Sequence, residues 1–274
     1  MKFFQILTLC LSSLFALESS ATIVRIQTNM GDVDVNLFDE ATPETVTNFL
    51  HYLDAGAYSN TVIHRSVKGF VIQGGGFELE EGVISPVATV TSPPNEPLYS
   101  NMVGTIAMAK QGGDPDSATS QWFFNLANNS ANLDSQNGGF TVFGQVTAGW
   151  EVVEAIAAIE SFDLRSSSLE PIVSQLPVLG AFGATPLRNF TTSEVNALVS
   201  NPADFLVLVQ SVTVIDPSAD SANNLSPTLN TAILSNKGKK NKKWYASSDR
   251  WTVLLLMLGA LVFGQYRRTI KHAS

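Results

Sequence analysis

Residues 21–38, ATIVRIQTNMGDVDVNLF, alternate apolar and polar side chains on both sides of Asn29-Met30-Gly31-Asp32. A half-buried β-hairpin satisfies that period of two and a helix does not. Further short strand-like runs occur at 61–64, 71–73, 104–109, 121–125 and 140–146, separated by Gly, Asp, Ser and Asn, and 205–215 reads as a last, strongly apolar strand. Two helices interrupt the series. Thr42 as N-cap and Pro43 in the first turn open an amphipathic helix that runs to about Ala55, with Val46, Phe49, Leu50 and Leu53 on one face and Gly56 as its stop. A second helix fits 150–159. Many short strands with two helices predict a mostly β fold, a closed antiparallel β-barrel capped at its ends.

Composition narrows the chemistry. Of the 274 residues 45% are hydrophobic and 15% charged, which rules out global disorder and allows a sizeable core. A single cysteine, Cys10, excludes an intramolecular disulfide, and three histidines (His51, His64, His272) leave too little for a zinc cage, so a zinc enzyme is not expected; no metal and no cofactor is assigned. The net charge of −8 hides an asymmetry: residues 22–217 hold 6 Lys and Arg against 21 Asp and Glu, whereas 237–274 hold 9 against one. An acidic body argues against nucleic acid as a partner, since phosphate neutralisation needs stripes of Lys and Arg.

Both ends read as targeting segments. Residues 1–21 combine a positive start, an apolar stretch and small residues before Thr22, the layout of a secretory signal peptide cleaved after Ala21. Residues 218–248 are a Ser/Asn-rich and then Lys-rich linker. Within 249–268, WTVLLLMLGALVFGQY followed by Arg267-Arg268 predicts a C-terminal transmembrane helix, with 269–274 as a short basic tail. Its sixteen apolar-rich residues reach ~24 Å, slightly less than a ~30 Å hydrocarbon core. Export would put Arg267, Arg268 and Lys271 in the cytoplasm and the lysines of 237–243 outside, against anionic headgroups or in a tail that is later cut.

The chemistry is carried by 62–77, VIHRSVKGFVIQGGGF, which resembles the cyclophilin family of peptidyl-prolyl cis-trans isomerases at His64, Arg65, Gly69, Phe70, Gln73, Gly74, Gly75 and Phe77. A second block, 104–146, is similar to the bacterial branch at Met108-Ala109, Ser120-Gln121, Phe123, Asn125, Leu133-Asp134 and Val142-Phe143-Gly144. The resemblance spans about 22–217 and implies a barrel of about eight strands and rotation about X–Pro bonds in proline-containing polypeptides; signal, anchor and the bacterial character of the second block together point to exported clients on the periplasmic side of the inner membrane. The resemblance implies Arg65 as the catalytic donor, Gln73 as a backbone-binding group, and Phe70, Val71, Phe123, Leu133 and Phe140 as the pocket for the proline ring. Ala109, Lys110 and Gln121 complete the substrate-binding set, and His64 is a structural or rim residue rather than a base. A run of three glycines at 74–76 fits a tight strand end, not a phosphate loop.

Departures from the family pattern are Ile63 for Phe, Lys68 for Pro, Val71 for Met and Gly76 for Asp. Asn132 stands where the animal enzymes carry a cyclosporin-binding Trp, and Phe140 where they carry His, so weak cyclosporin inhibition is implied. A non-catalytic module that merely holds proline peptides is the alternative reading. Residues 161–204 exceed what a minimal cyclophilin needs between its second helix and last strand, and would serve as a lid, a dimer contact or packing. Three N-x-S/T sites (Asn128, Asn189, Asn224) matter only in a eukaryotic source.

Overall fold

The computed structural model describes residues 22–165, 182–217 and 225–233. The signal-peptide and transmembrane expectations, and most of the linker, lie outside these residues; among the described residues no helix is long and apolar enough to cross a membrane.

In chain order the strands are β1 Ile23–Thr28, β2 Gly31–Leu37, β3 Thr61–Val62, β4 Arg65–Val67, β5 Val71–Gly74, β6 Phe77–Glu80 and β7 Val83–Pro86. They continue with β8 Thr105–Met108, β9 Trp122–Asn125, β10 Val142–Ala148, β11 Ser161–Phe162, β12 Thr185–Pro186 and β13 Leu208–Asp216. The helices are α1 Pro43–Asp54, α2 Ser130–Leu133, α3 Trp150–Ala158, α4 Val195–Ser200 and α5 Pro202–Phe205. The expected hairpin is β1–β2, closed by a two-residue turn with Thr28 opposite Gly31. Both expected helices are present, as α1 and α3. The last strand begins later than its apolar run, because Phe205 still belongs to α5.

The closed barrel of about eight strands is not what forms. The chain builds a curled, open antiparallel sheet of eleven strands in the order β4-β5-β9-β8-β10-β2-β1-β13-β3-β6-β7, and a separate β11–β12 pair. The reason lies at Ile63-His64. Ile63 donates its N–H to the Val207 carbonyl (2.9 Å), on the β13 side, whereas His64 donates to Gln73 (3.2 Å) on β5. The partner changes there: β3 pairs with β13 and β6, whereas β4 pairs in a ladder only with β5, so no ladder joins the β4 end of the sheet to the β7 end and the sheet stays open. Strand number is larger because FELEEGVISP makes the hairpin β6–β7, turned by Glu81 and Gly82 at φ 50° and 81°. Positive φ at both central residues is what a type I′ turn requires, and an Asn-Gly signal was absent.

Helix α1 shows how local signals yield to distant groups. Thr42 does not cap with its side chain; its hydroxyl donates to the Phe38 carbonyl at 3.2 Å. Glu96 takes that place, its carboxylate accepting from the backbone N–H groups of Glu44 (3.3 Å) and Thr45 (2.8 Å) and the Thr45 hydroxyl (2.7 Å). A carboxylate there satisfies orphan donors and faces the positive end of the helix dipole. The buried face comprises Thr45, Val46, Asn48, Phe49 and Tyr52, whereas Leu50 and Leu53 are only partly buried. Phe49 packs on Tyr58 and Phe143 with ring centroids 5.0 and 5.2 Å apart, tying α1 to the main core.

The described part of 161–204 is packing material at the β4 edge. Leu164, Phe182, Leu187, Phe190 and Leu198 join Val62, Phe77, Leu79 and Ile84 in a second apolar cluster. Ser66 donates its N–H to the Ala184 carbonyl (2.7 Å), and the hydroxyls of Thr185 and Ser161 donate to the carbonyls of His64 (3.0 Å) and Ser66 (3.1 Å). An open sheet edge with free N–H and C=O groups invites foreign strands, and this segment covers it.

His64 lies inside that second cluster, 1% exposed and edge-on to Phe77 at 4.9 Å. Burial pushes its pKa down to about 4, the Val62 backbone hydrogen bond opposing and the Arg65 charge adding to the fall. In the unfolded chain the imidazole protonates near 6.5. Stability is therefore complete above that value and is lost as pH falls toward 4, by ~2–3 kcal/mol. His64→Phe should abolish this component: urea unfolding at pH 7.5 and 4.5 should show a smaller loss for the variant, and equal losses would remove His64 as the cause.

Candidate active site

Register across the sheet assembles the site. Arg65 on β4 lies opposite Gln73 on β5, Gln73 opposite Phe123 on β9, Phe123 opposite Ala107 on β8, and Ala107 opposite Val142 on β10. Residues directly opposite one another share a face, so five segments far apart in sequence form one row. Val71, two residues before Gln73 on the same strand, adds to that face.

At the polar end of the row, Arg65 Nη1 donates to Gln73 Oε1 at 3.3 Å, and Gln73 Nε2 donates to Gln121 Oε1 at 2.8 Å. Gln73 is thereby held with its oxygen toward the guanidinium. Burial lowers the Arg65 pKa from its ordinary value, yet a guanidinium stays protonated at neutral pH. Its cation has no carboxylate partner among the described residues; the ion pairs there belong to Arg25 and Arg165. The Phe70 ring centroid is 5.8 Å from Arg65 Cζ. A cleft of about 450 Å³ opens beside it, lined by Val67, Gln73, Gln121, Arg165, Gly183 and Ala184 as well as Arg65 and His64.

At the apolar end, Val71, Phe123 and Leu133 gather with Phe38, Ala107 and Val142, and Phe70, Ala109, Phe140 and Tyr99 pack against them. All five residues assigned to the proline pocket thus meet in one cluster. Phe123 and Phe140 make an edge contact at 5.9 Å. Lys110 is turned to the rim: its ammonium donates to the carbonyls of Asn137 (2.9 Å) and Gly139 (2.7 Å) and lies 4.9 Å from the Phe140 ring centroid. Burial brings its pKa down to about 8, with Asp116 and Asp114 opposing. It anchors the turn that carries Phe140.

The sequence reading missed the frame behind this pocket. Asn129 Nδ2 donates to the Phe70 carbonyl (2.9 Å) and to Asn125 Oδ1 (2.7 Å); Asn125 Nδ2 donates to Asn101 Oδ1 (3.2 Å) and Thr105 Oγ1 (3.0 Å). Asn101 in turn donates from its side chain to the Phe140 carbonyl (3.2 Å) and Asp134 Oδ1 (3.0 Å). Satisfied buried networks of this kind fix geometry, and this one spans from Phe70 to Phe140. Its partners sit at strand ends and in loops far apart in sequence, so no periodicity announces them.

Gly76 leaves the Gln121 side chain room in its present position. A Cβ there would stand 2.6 Å from Gln121 Cδ and 2.7 Å from its Nε2. Gly75, at φ 76°, makes the strand end before it. Gly76→Ala should displace Gln121 and loosen Gln73, lowering kcat/KM on a proline peptide by about tenfold, or ~1.4 kcal/mol of transition-state stabilisation. Unchanged kcat/KM in the folded variant would show that the Gln121 contact is idle.

The comparisons with known proteins agree with this geometry. The family model "Cyclophilin type peptidyl-prolyl cis-trans isomerase/CLD" matches residues 23–175. Peptidyl-prolyl cis-trans isomerase B of Escherichia coli is 39% identical over 141 residues, 50% of this chain and 85% of that relative. A peptidyl-prolyl cis-trans isomerase of Acinetobacter baylyi is 38% identical over 139 residues, 50% of this chain and 73% of its own. Peptidyl-prolyl cis-trans isomerase A of Dickeya dadantii is 35% identical over 162 residues, 57% and 84% of the two chains. With the row from Arg65 to Val142 and the pocket beside it, this places the protein: it belongs to the cyclophilin family and is a peptidyl-prolyl cis-trans isomerase.

Proposed function

We propose that Arg65 is the catalytic residue and that it acts on X–Pro bonds of proteins folding outside the cytoplasm. Amide rotation faces a barrier of ~18–20 kcal/mol because resonance must be broken. In the twisted state the proline nitrogen regains a lone pair, and a donor aimed there favours that state over either planar isomer. The observation that carries the reading is a half-buried guanidinium with no carboxylate partner among the described residues, held by Gln73 at the mouth of an apolar pocket. Phe70, Val71, Phe123, Leu133 and Phe140 hold the ring; Gln73, Gln121 and Ala109 meet the substrate backbone; Lys110 supports the wall. No covalent intermediate is needed.

Arg65→Ala should lower kcat/KM by about 100-fold, ~2.7 kcal/mol, while a proline peptide still binds; near-normal rates would remove Arg65 from the reaction. The signal, linker and anchor expected from the sequence are the ground for proposing tethering on the periplasmic side of the inner membrane through 249–268. Cell fractionation of the full chain should recover it with membranes, starting at Thr22; a soluble cytosolic product retaining Met1 would sink this part.

A further inference from the structure

We infer that residues 225–233 of the same chain are a built-in occupant of the proline pocket, which substrate must displace. Leu225 packs against the cluster formed by Val71, Phe123 and Leu133 with Phe38, Ala107 and Val142. Val71, Phe123 and Leu133 are only 2%, 4% and 5% exposed, and Leu225 is one of the partly buried side chains set against their cluster, with Phe70 and Phe140. A leucine side chain offers a branched aliphatic body of about the bulk of a proline ring. Ser226 and Pro227 follow it directly.

The segment is held beside the pocket by its own hydrogen bonds. Tyr99 and Leu229 form an antiparallel bridge, with Ser100 donating its N–H to the Thr228 carbonyl (2.8 Å) and Asn230 to the Leu98 carbonyl (2.8 Å). Asn230 is fully buried; its Nδ2 donates to the Asp134 carbonyl (2.9 Å), and its Oδ1 accepts from the Ile233 N–H (3.1 Å). Asp134 follows Leu133 and anchors the Asn101 network, so the latch closes on the frame that shapes the pocket. A tethered ligand acts at roughly millimolar effective concentration. It therefore competes with free peptide and raises the apparent KM without entering the chemical step.

The inference rests on the proline pocket assigned above, and its test separates the two. In the full chain, Leu225→Asp and Asn230→Ala should each lower KM for an Ala-Pro peptide about tenfold with kcat unchanged. Calorimetry should show the same gain in affinity for that peptide. A synthetic peptide of residues 221–233 should inhibit the Leu225→Asp variant competitively. A KM unchanged or raised, with peptide affinity unchanged or weakened, in both variants would overturn the inference, as would a peptide that fails to compete. Loss of catalysis with retained affinity gains would instead count against the assigned chemistry while leaving the occupant in place.

Discussion

The backbone between Thr61 and Val67 changes hydrogen-bonding partner halfway, at Ile63-His64, and both halves of the molecule are built around that change. Before it, β3 pairs with β13 and β6; after it, β4 pairs with β5. Backbone N–H and C=O groups are obligatory hydrogen-bonding groups, so the divergence leaves an edge that something must cover. Residues 161–165 and 182–204 do this, and they bring the apolar side chains that bury His64. The same divergence puts Arg65 at the start of a new strand, half-exposed beside a cleft instead of within a closed wall.

From there the site follows by register. Once Arg65 faces Gln73, the strand order carries the row to Phe123, Ala107 and Val142, and apolar burial at one end leaves a cation at the other. The body around it is strongly acidic, with 21 Asp and Glu over 22–217. None of those within the described residues pairs with Arg65, which leaves its guanidinium without a carboxylate partner. Gln73 and Gln121 give direction without neutralising charge, and Gly76 leaves them room.

The pocket is also a place where the chain meets itself. A buried Asn230, two backbone bonds and Leu225 seat the start of the linker beside α2, so a stretch whose composition reads as a spacer contains an ordered piece. Flexible composition describes what a segment does in isolation; it does not register a single asparagine whose two side-chain groups find partners in the folded state.

The sequence alone determined the hairpin of 21–38, the two longer helices and the family, because period, capping residues and motif order are local properties of the chain. It did not reveal the hairpin β6–β7, whose turn is built from Glu81-Gly82, nor Glu96 in place of Thr42 at the head of α1. It left the sheet closed where Ile63-His64 opens it. Only the tertiary structure decided which side chains stand opposite Arg65, that Gln121 lies over Gly76, and where Asn101, Asn125, Asn129 and Leu225 come to rest. Those outcomes depend on hydrogen bonds and packing between segments distant in sequence, and such pairings leave no periodic trace along the chain.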